Sequence, residues 1–178
     1  MDRTKKLFGI EHLIYDRIAK LVQRTANYHQ TKDVFWTTEI NTELINLGEQ
    51  LRYTVYTSEK HDKRYAEWLY DIIWSMDDLD ENEEPSWRNF RGLGLACEVE
   101  WGGYGKILED FTKLTIGDAD YRVMIIGYHD EKPHEDQWED IKKLCVKASE
   151  YKFQNHKYLL IGLPWVDPSK IKYHSWIF

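Results

Sequence analysis

Residues 93–101 read Leu-Gly-Leu-Ala-Cys-Glu-Val-Glu-Trp and run into Gly102-Gly103. A short apolar run closed by paired glycines reads as a strand. Its last part carries two acids, Glu98 and Glu100, which share a strand face about 7 Å apart. Upstream, Trp68-Leu69-Tyr70-Asp71-Ile72-Ile73-Trp74 reads as a buried strand with one charge in it, Asp71. A carboxylate in such a run is costly unless it is paired or bound to a metal. If the two strands make an antiparallel hairpin centred near Glu84 and Pro85, facing residues have numbers summing to about 169, which sets Asp71 opposite Glu98. Asp71, Glu98 and Glu100 then converge, a set of oxygen donors suited to Mg²⁺, which takes one or two carboxylates together with waters and substrate phosphate oxygens.

Working outward, Leu7, Ile10, Ile14, Ile18 and Leu21 recur at helical spacing and predict an amphipathic helix over 8–24. Thr37 or Thr38 as cap, followed by Ile40, Leu44, Leu47 and Leu51, predicts a second helix ending near Arg52, with Glu39 and Glu43 on its flank. The β-branched and aromatic run 53–57 predicts a strand, ahead of the strands holding Asp71 and Glu98. Ile107, Leu108, Phe111 and Leu114 predict a helix, residues 121–128 a fully apolar strand, and Trp138, Ile141, Leu144, Cys145 and Ala148 a further helix with acids first and lysines after. Residues 158–165 and 171–178 supply two last strands. The order α, α, β, β, β, α, β, α, β, β predicts an α/β (α+β) domain, a mixed central β-sheet flanked by helices, with 1–178 as one domain.

The 178 residues are enough for one ordinary core, and 42% hydrophobic and 15% aromatic content excludes an intrinsically disordered chain. The net charge of −7 is unevenly spread. Residues 1–32 hold 7 basic and 3 acidic groups and residues 142–178 hold 7 and 2, whereas six acids fall within the eight residues 77–84. That run reads as a solvated loop, and the basic ends predict one positive surface, formed by the first helix and the last two strands, beside the Asp71 site. Cys97 and Cys145 have neither disulfide nor metal spacing, which fits a reducing cytoplasm, and no stretch predicts a signal segment or a membrane span.

The helix carrying Glu39 and Glu43, the strands bearing Asp71 and Glu98-Val99-Glu100, the helix Gly-Lys-Ile-Leu-Glu-Asp-Phe-Thr-Lys-Leu and the strand Tyr-Arg-Val-Met-Ile-Ile-Gly-Tyr resemble the αβββαβ core of the PD-(D/E)XK, or restriction-endonuclease-like, nuclease superfamily over residues 36–128. The N-terminal helix, and the C-terminal helix with two strands, lie outside that core. The resemblance implies that Asp71 and Glu98 bind Mg²⁺ (or Mn²⁺), that Val99 lends its carbonyl, and that Glu43, or else Glu39, joins them. Tyr70 stands where the family has Pro, and Glu100 where it has the catalytic Lys. Glu100 acts as base or metal ligand in this reading, or the cation comes from the next helix as Lys113 or Lys106, with Lys113 preferred. The implied activity is phosphodiester hydrolysis on nucleic acid, double-stranded DNA first, and a cut on both strands would suggest a homodimer.

The alternative is a catalytically inactive relative that serves as a binding or assembly module, hinted at by Glu100 and by the acidic loop. A glycosidase using Glu98 and Glu100 is disfavoured because two acids on one strand do not flank a sugar. Trp68, Trp74 and Trp101 read as core, whereas Trp36, Trp87, Trp138 and Trp165 are candidates for base stacking or an interface. His129 and His134 form the only close histidine pair and do not make a zinc site without a third ligand.

Overall fold

Trp74 is fully buried, its indole N–H donating to the Leu44 carbonyl at 3.1 Å, and around this contact a helix and two strands are locked together. The computed structural model describes residues 9–25, 33–57, 69–77, 90–129, 137–150 and 156–177. Among them are helices α1 (Ile10–Thr25), α2 (Asp33–Gln50), α3 (Tyr104–Ile116) and α4 (Gln137–Ser149), and strands β1 (Thr54–Thr57), β2 (Ile72–Asp77), β3 (Phe90–Glu100), β4 (Ala119–Tyr128), β5 (Lys157–Pro164) and β6 (Lys172–Ile177). The chain order is the one read from the sequence. None of the described helices is long and apolar enough to cross a membrane.

The strands form one mixed sheet in the order β1-β2-β3-β4-β5-β6. β1–β2, β2–β3 and β5–β6 pair antiparallel, and β3–β4 and β4–β5 pair parallel through the crossover helices α3 and α4. Alternation along β3 sorts its side chains into two cores. Leu95, Cys97 and Val99 pack with Ile14, Ile18 and Leu21 of α1 and Ile40 and Leu44 of α2. Ala96 packs with Ile107, Phe111 and Leu114 of α3 and Ile141 and Cys145 of α4. The result is three layers, helices on both faces of a central sheet. Both cysteines are buried and free.

Two local devices hold these layers. Gly48 lets α2 lie against the sheet, since a Cβ there would stand 2.6 Å from Val55 Cγ2 and 2.7 Å from Trp74 Nε1. Four residues later Arg52 takes φ 66°, with Arg52 N donating to Glu49 O and Tyr53 N to Gly48 O, both at 3.0 Å. This left-handed cap ends the helix and turns the chain straight into β1. On the other face, buried Arg122 donates to the carbonyls of Leu114, Gly117 and Ala119, satisfying the C-terminal end of α3.

Several boundaries differ from the sequence reading, two of them beside Glu43 and Asp71. α2 begins at Asp33, whose carboxylate suits the first turn. Thr37 and Thr38 are therefore not caps; their hydroxyls donate back to the carbonyls of Asp33 and Val34 at 3.1 and 2.9 Å. β2 begins at Ile72 and extends through Asp77, first residue of the acidic run, where Ser75 Oγ donates to its carboxylate at 2.5 Å. Trp68 and the rest of the acidic run, 78–84, lie outside the described residues.

Candidate active site

Because β3, β4 and β5 are parallel, their carboxyl ends lie along one edge of the sheet, and the antiparallel β2 starts at that same edge. Such an edge is where α/β sheets hold ligands. Ile72, Ile73 and Trp74 pair with Cys97, Ala96 and Leu95, each pair summing to 169, the register expected from the hairpin. Asp71, one residue before the first pair, sits in a bend, and its Oδ2 accepts a hydrogen bond from Val99 N at 2.8 Å. This bond fixes Asp71 to β3 next to Glu98.

Glu98 projects to the α3 side and is only 3% exposed. The stripe Ile107, Phe111 and Leu114 seats α3 on the sheet, and the next positions around the helix, Asp110 and Lys113, flank that stripe. Lys113 Nζ stands 2.8 Å from Glu98 Oε1 and 2.8 Å from Asp110 Oδ1. Both oxygens are buried, and the ammonium is their close partner. Lys106, half exposed, pairs with Glu109 at 3.3 Å and lies 3.7 Å from Asp110 Oδ1, at the rim. Glu100 Oε1 accepts from Gly102 N at 2.6 Å, inside the Gly102-Gly103 turn that launches α3.

The electrostatics follow from burying more acid than base. Burial pushes the Glu98 carboxyl up to about 8, and Asp71 and Asp110 add to the rise while Lys113 opposes it. Burial and a hydrogen bond to Asp110 raise Glu100. Asp110 is lowered although burial works against it, because Lys113 and Glu100 both hydrogen-bond to its charged form. Burial works to lower Lys113, but Asp110 and Glu98 outweigh it and hold the ammonium above its usual range.

The structure thus brings together Asp71, Glu98, Glu100, Lys113 and, at the rim, Lys106. It does not bring Glu43 to them. Glu43 lies on the other side of the sheet, its Oε1 accepting from Arg24 at 2.6 Å and its Oε2 3.5 Å from Arg17, with Glu39 also facing Arg24 at 3.8 Å. The expected ligand role of Glu43 is corrected accordingly: α2 packs over Cys97 and Val99, the face away from Glu98. Asp110 joins the cluster from the same helix as the two lysines. Its burial, 5% exposed, makes it a full member, and the signal was its i,i+3 spacing to Lys113.

The expected positive surface is also revised. Tyr15 of α1 does meet Tyr173 of β6, with ring centroids 4.6 Å apart, so the two ends of the chain are neighbours. Yet Arg17 and Arg24 face acids of α2, Lys20 pairs with Asp16 at 2.7 Å, and β6 lies four strands from β2. Trp138 is core, stacked under Gly162, while Trp165 is exposed. His129 stacks on Trp165, and its expected companion His134 lies outside the described residues.

Among the described residues no three His, Cys, Asp or Glu side chains stand close enough together to hold one metal ion. The donors nevertheless fit Mg²⁺ or Mn²⁺ by type, since all are carboxylate oxygens, the ligands a hard cation takes. Comparison with known proteins finds no family model, no curated protein and no solved structure that matches the chain.

Proposed function

We propose that the protein is a metal-dependent nuclease hydrolysing phosphodiester bonds, a DNA endonuclease of restriction-endonuclease-like fold. The observation that carries this reading is the 169 register, which sets Asp71 beside Glu98 at the carboxyl edge of the parallel strands, with the Lys113 ammonium 2.8 Å from Glu98. The order α2, β1, β2, β3, α3, β4, with one sheet joining all four strands, supports the αβββαβ core. In this reading Asp71, Glu98 and the Val99 carbonyl hold Mg²⁺, and Mg²⁺ when bound neutralises charge on the phosphate and the leaving oxygen.

The chain's own groups divide the remaining work. Val99 N holds the Asp71 carboxylate in place. Lys113 Nζ, positioned by Asp110, donates to a non-bridging phosphate oxygen and steadies the charge that builds up there. Glu100, at the open end of the cluster with its carboxyl raised, takes the proton from the attacking water in its ionised form. Lys113 thereby supplies the cation that the strand position of Glu100 does not.

The test is cleavage of supercoiled and linear DNA with Mg²⁺ or Mn²⁺ against EDTA, comparing wild type with Asp71→Asn and Lys113→Met. Metal-dependent cutting by wild type, lost by at least about 100-fold in each variant, is expected, the loss typical for removing a transition-state donor. No cutting by wild type, with no heat of Mg²⁺ binding, rejects the nuclease. The second reading, an inactive relative acting as a binding or assembly module, is favoured by the absence of a gathered metal-ligand trio among the described residues. DNA retention without cleavage would select it.

A further inference from the structure

The carboxyl edge of the sheet carries a second group of side chains that the cluster does not use. Trp165, directly after β5, is 39% exposed. Its ring lies nearly parallel to that of exposed His129, with centroids 5.5 Å apart at 15°, and meets Trp101 edge-on at 6.2 Å. Trp101 follows Glu100 in the chain but packs on the α1/α2 side, so this aromatic group and the carboxylates straddle the same strand end.

The group is held in place from several directions. Trp101 Nε1 donates to Thr37 Oγ1 at 2.8 Å, and Trp165 N donates to the Tyr128 carbonyl at 3.2 Å. Gly127 lies beneath both indoles: a Cβ there would stand 2.8 Å from Trp101 Cε3 and 3.2 Å from Trp165 Nε1. A fixed, solvent-facing pair of stacked rings matches what binds an unpaired base, since every base offers a π-face.

We infer that His129 and Trp165 form a stacking shelf for an unpaired nucleobase next to the phosphodiester held at the Asp71 cluster. This rests on the nuclease reading and names its substrate more closely, because a base inside a duplex is stacked on its neighbours and cannot offer its face. The substrate therefore has a single-stranded segment, an overhang or a frayed end beside the scissile bond.

The experiment measures binding without metal. Tryptophan fluorescence of the full chain is titrated with a single-stranded oligothymidylate, and separately with a blunt duplex, in EDTA. Oligothymidylate is expected to quench wild type. Trp165→Ala should weaken single-strand affinity about tenfold, the cost of one lost stacking contact, while Trp165→Phe stays within about twofold. His129→Ala, a change at an exposed position, gives an independent loss of a few fold should Trp165→Ala disturb folding by circular dichroism. Equal single-strand affinity in wild type, Trp165→Ala and His129→Ala overturns the shelf, as does the absence of any quench, whatever the cleavage assay shows. Trp165-sensitive binding without Mg²⁺-dependent cleavage supports the shelf and removes the nuclease reading.

Discussion

Two ion-pair clusters lie on opposite faces of this sheet, and they differ in their charge balance. Between α1 and α2, Glu39 and Glu43 meet Arg17 and Arg24, two acids with two bases. Between β3 and α3, Asp71, Glu98, Glu100 and Asp110 meet Lys113, with Lys106 at the rim. The first is a fastener whose charges cancel where the arginines reach water. The second holds more acid than base in a drier place, and burial there pushes the Glu98 carboxyl up to about 8 and raises Glu100 as well. An imbalance of this kind costs stability in the free protein and is characteristic of a site that receives a cation or a polar substrate.

The sharpest way to break the comparison is to remove the ammonium that Glu98 and Asp110 share. Lys113→Met leaves Glu98 Oε1 and Asp110 Oδ1 facing an apolar chain. A loss of about 3 kcal/mol is expected at pH 8.5, the cost of stranding one partner of a buried pair, and clearly less at pH 5, where Glu98 is protonated. Urea unfolding at the two pH values measures both. An equal loss at each pH would mean that Lys113 stabilises by packing alone.

Glu98→Gln tests the same excess with the opposite sign. The folded Glu98 carboxyl keeps a proton that the unfolded one releases near 4.5, so stability falls as pH rises from about 4.5 to about 8 and levels off above. Glutamine resembles the protonated acid and has no such slope. The variant should match wild type near pH 4 and exceed it at pH 8.5 by on the order of 2–4 kcal/mol. A wild-type profile that is flat between pH 5 and 8 would contradict the burial of Glu98.

A smaller effect separates the clusters by what they take up. On the nuclease reading, millimolar Mg²⁺ at pH 8.5 should raise the melting temperature of wild type by a few degrees, corresponding to about 1 kcal/mol of ligand linkage. Asp71→Asn should abolish the rise and Glu43→Gln should leave it intact. A rise that survives Asp71→Asn would place the metal elsewhere.

Much of this arrangement could be read from residue patterns, and the exceptions share a cause. Period-two and period-3.6 spacing give the element order because each apolar residue must reach one of two cores. The Asp71–Glu98 pairing follows because a one-residue slip would turn Ile72 and Trp74 out of the core they share with Cys97. What spacing along one element does not convey is which neighbour its flank meets. Glu43 has the same helix phase whether it faces a carboxylate cluster or the arginines of α1, and only the packing of α1 onto α2 decides. Asp110 and Lys113 are neighbours by spacing on α3, but the acid that completes their contact, Glu98, belongs to a strand, which spacing along α3 does not show. Trp138 and Trp165 both flank polar stretches, yet Gly162 makes room for the first against the sheet, while the second lies past the end of β5.

The balanced cluster should prove the less consequential of the two. Arg24→Met removes the 2.6 Å contact to Glu43 and the 3.8 Å contact to Glu39 but leaves Arg17 beside Glu43 Oε2. Arg24 is half exposed, so water replaces much of what it gave, and the expected loss is under about 1 kcal/mol, shrinking further in 1 M salt where surface charges are screened. The pH dependence should be that of wild type, because Glu98 sits across the sheet. If Arg24→Met instead matched Lys113→Met in size and in pH dependence, the two clusters would be coupled through the sheet, and the contrast between a structural fastener and a functional site would fail.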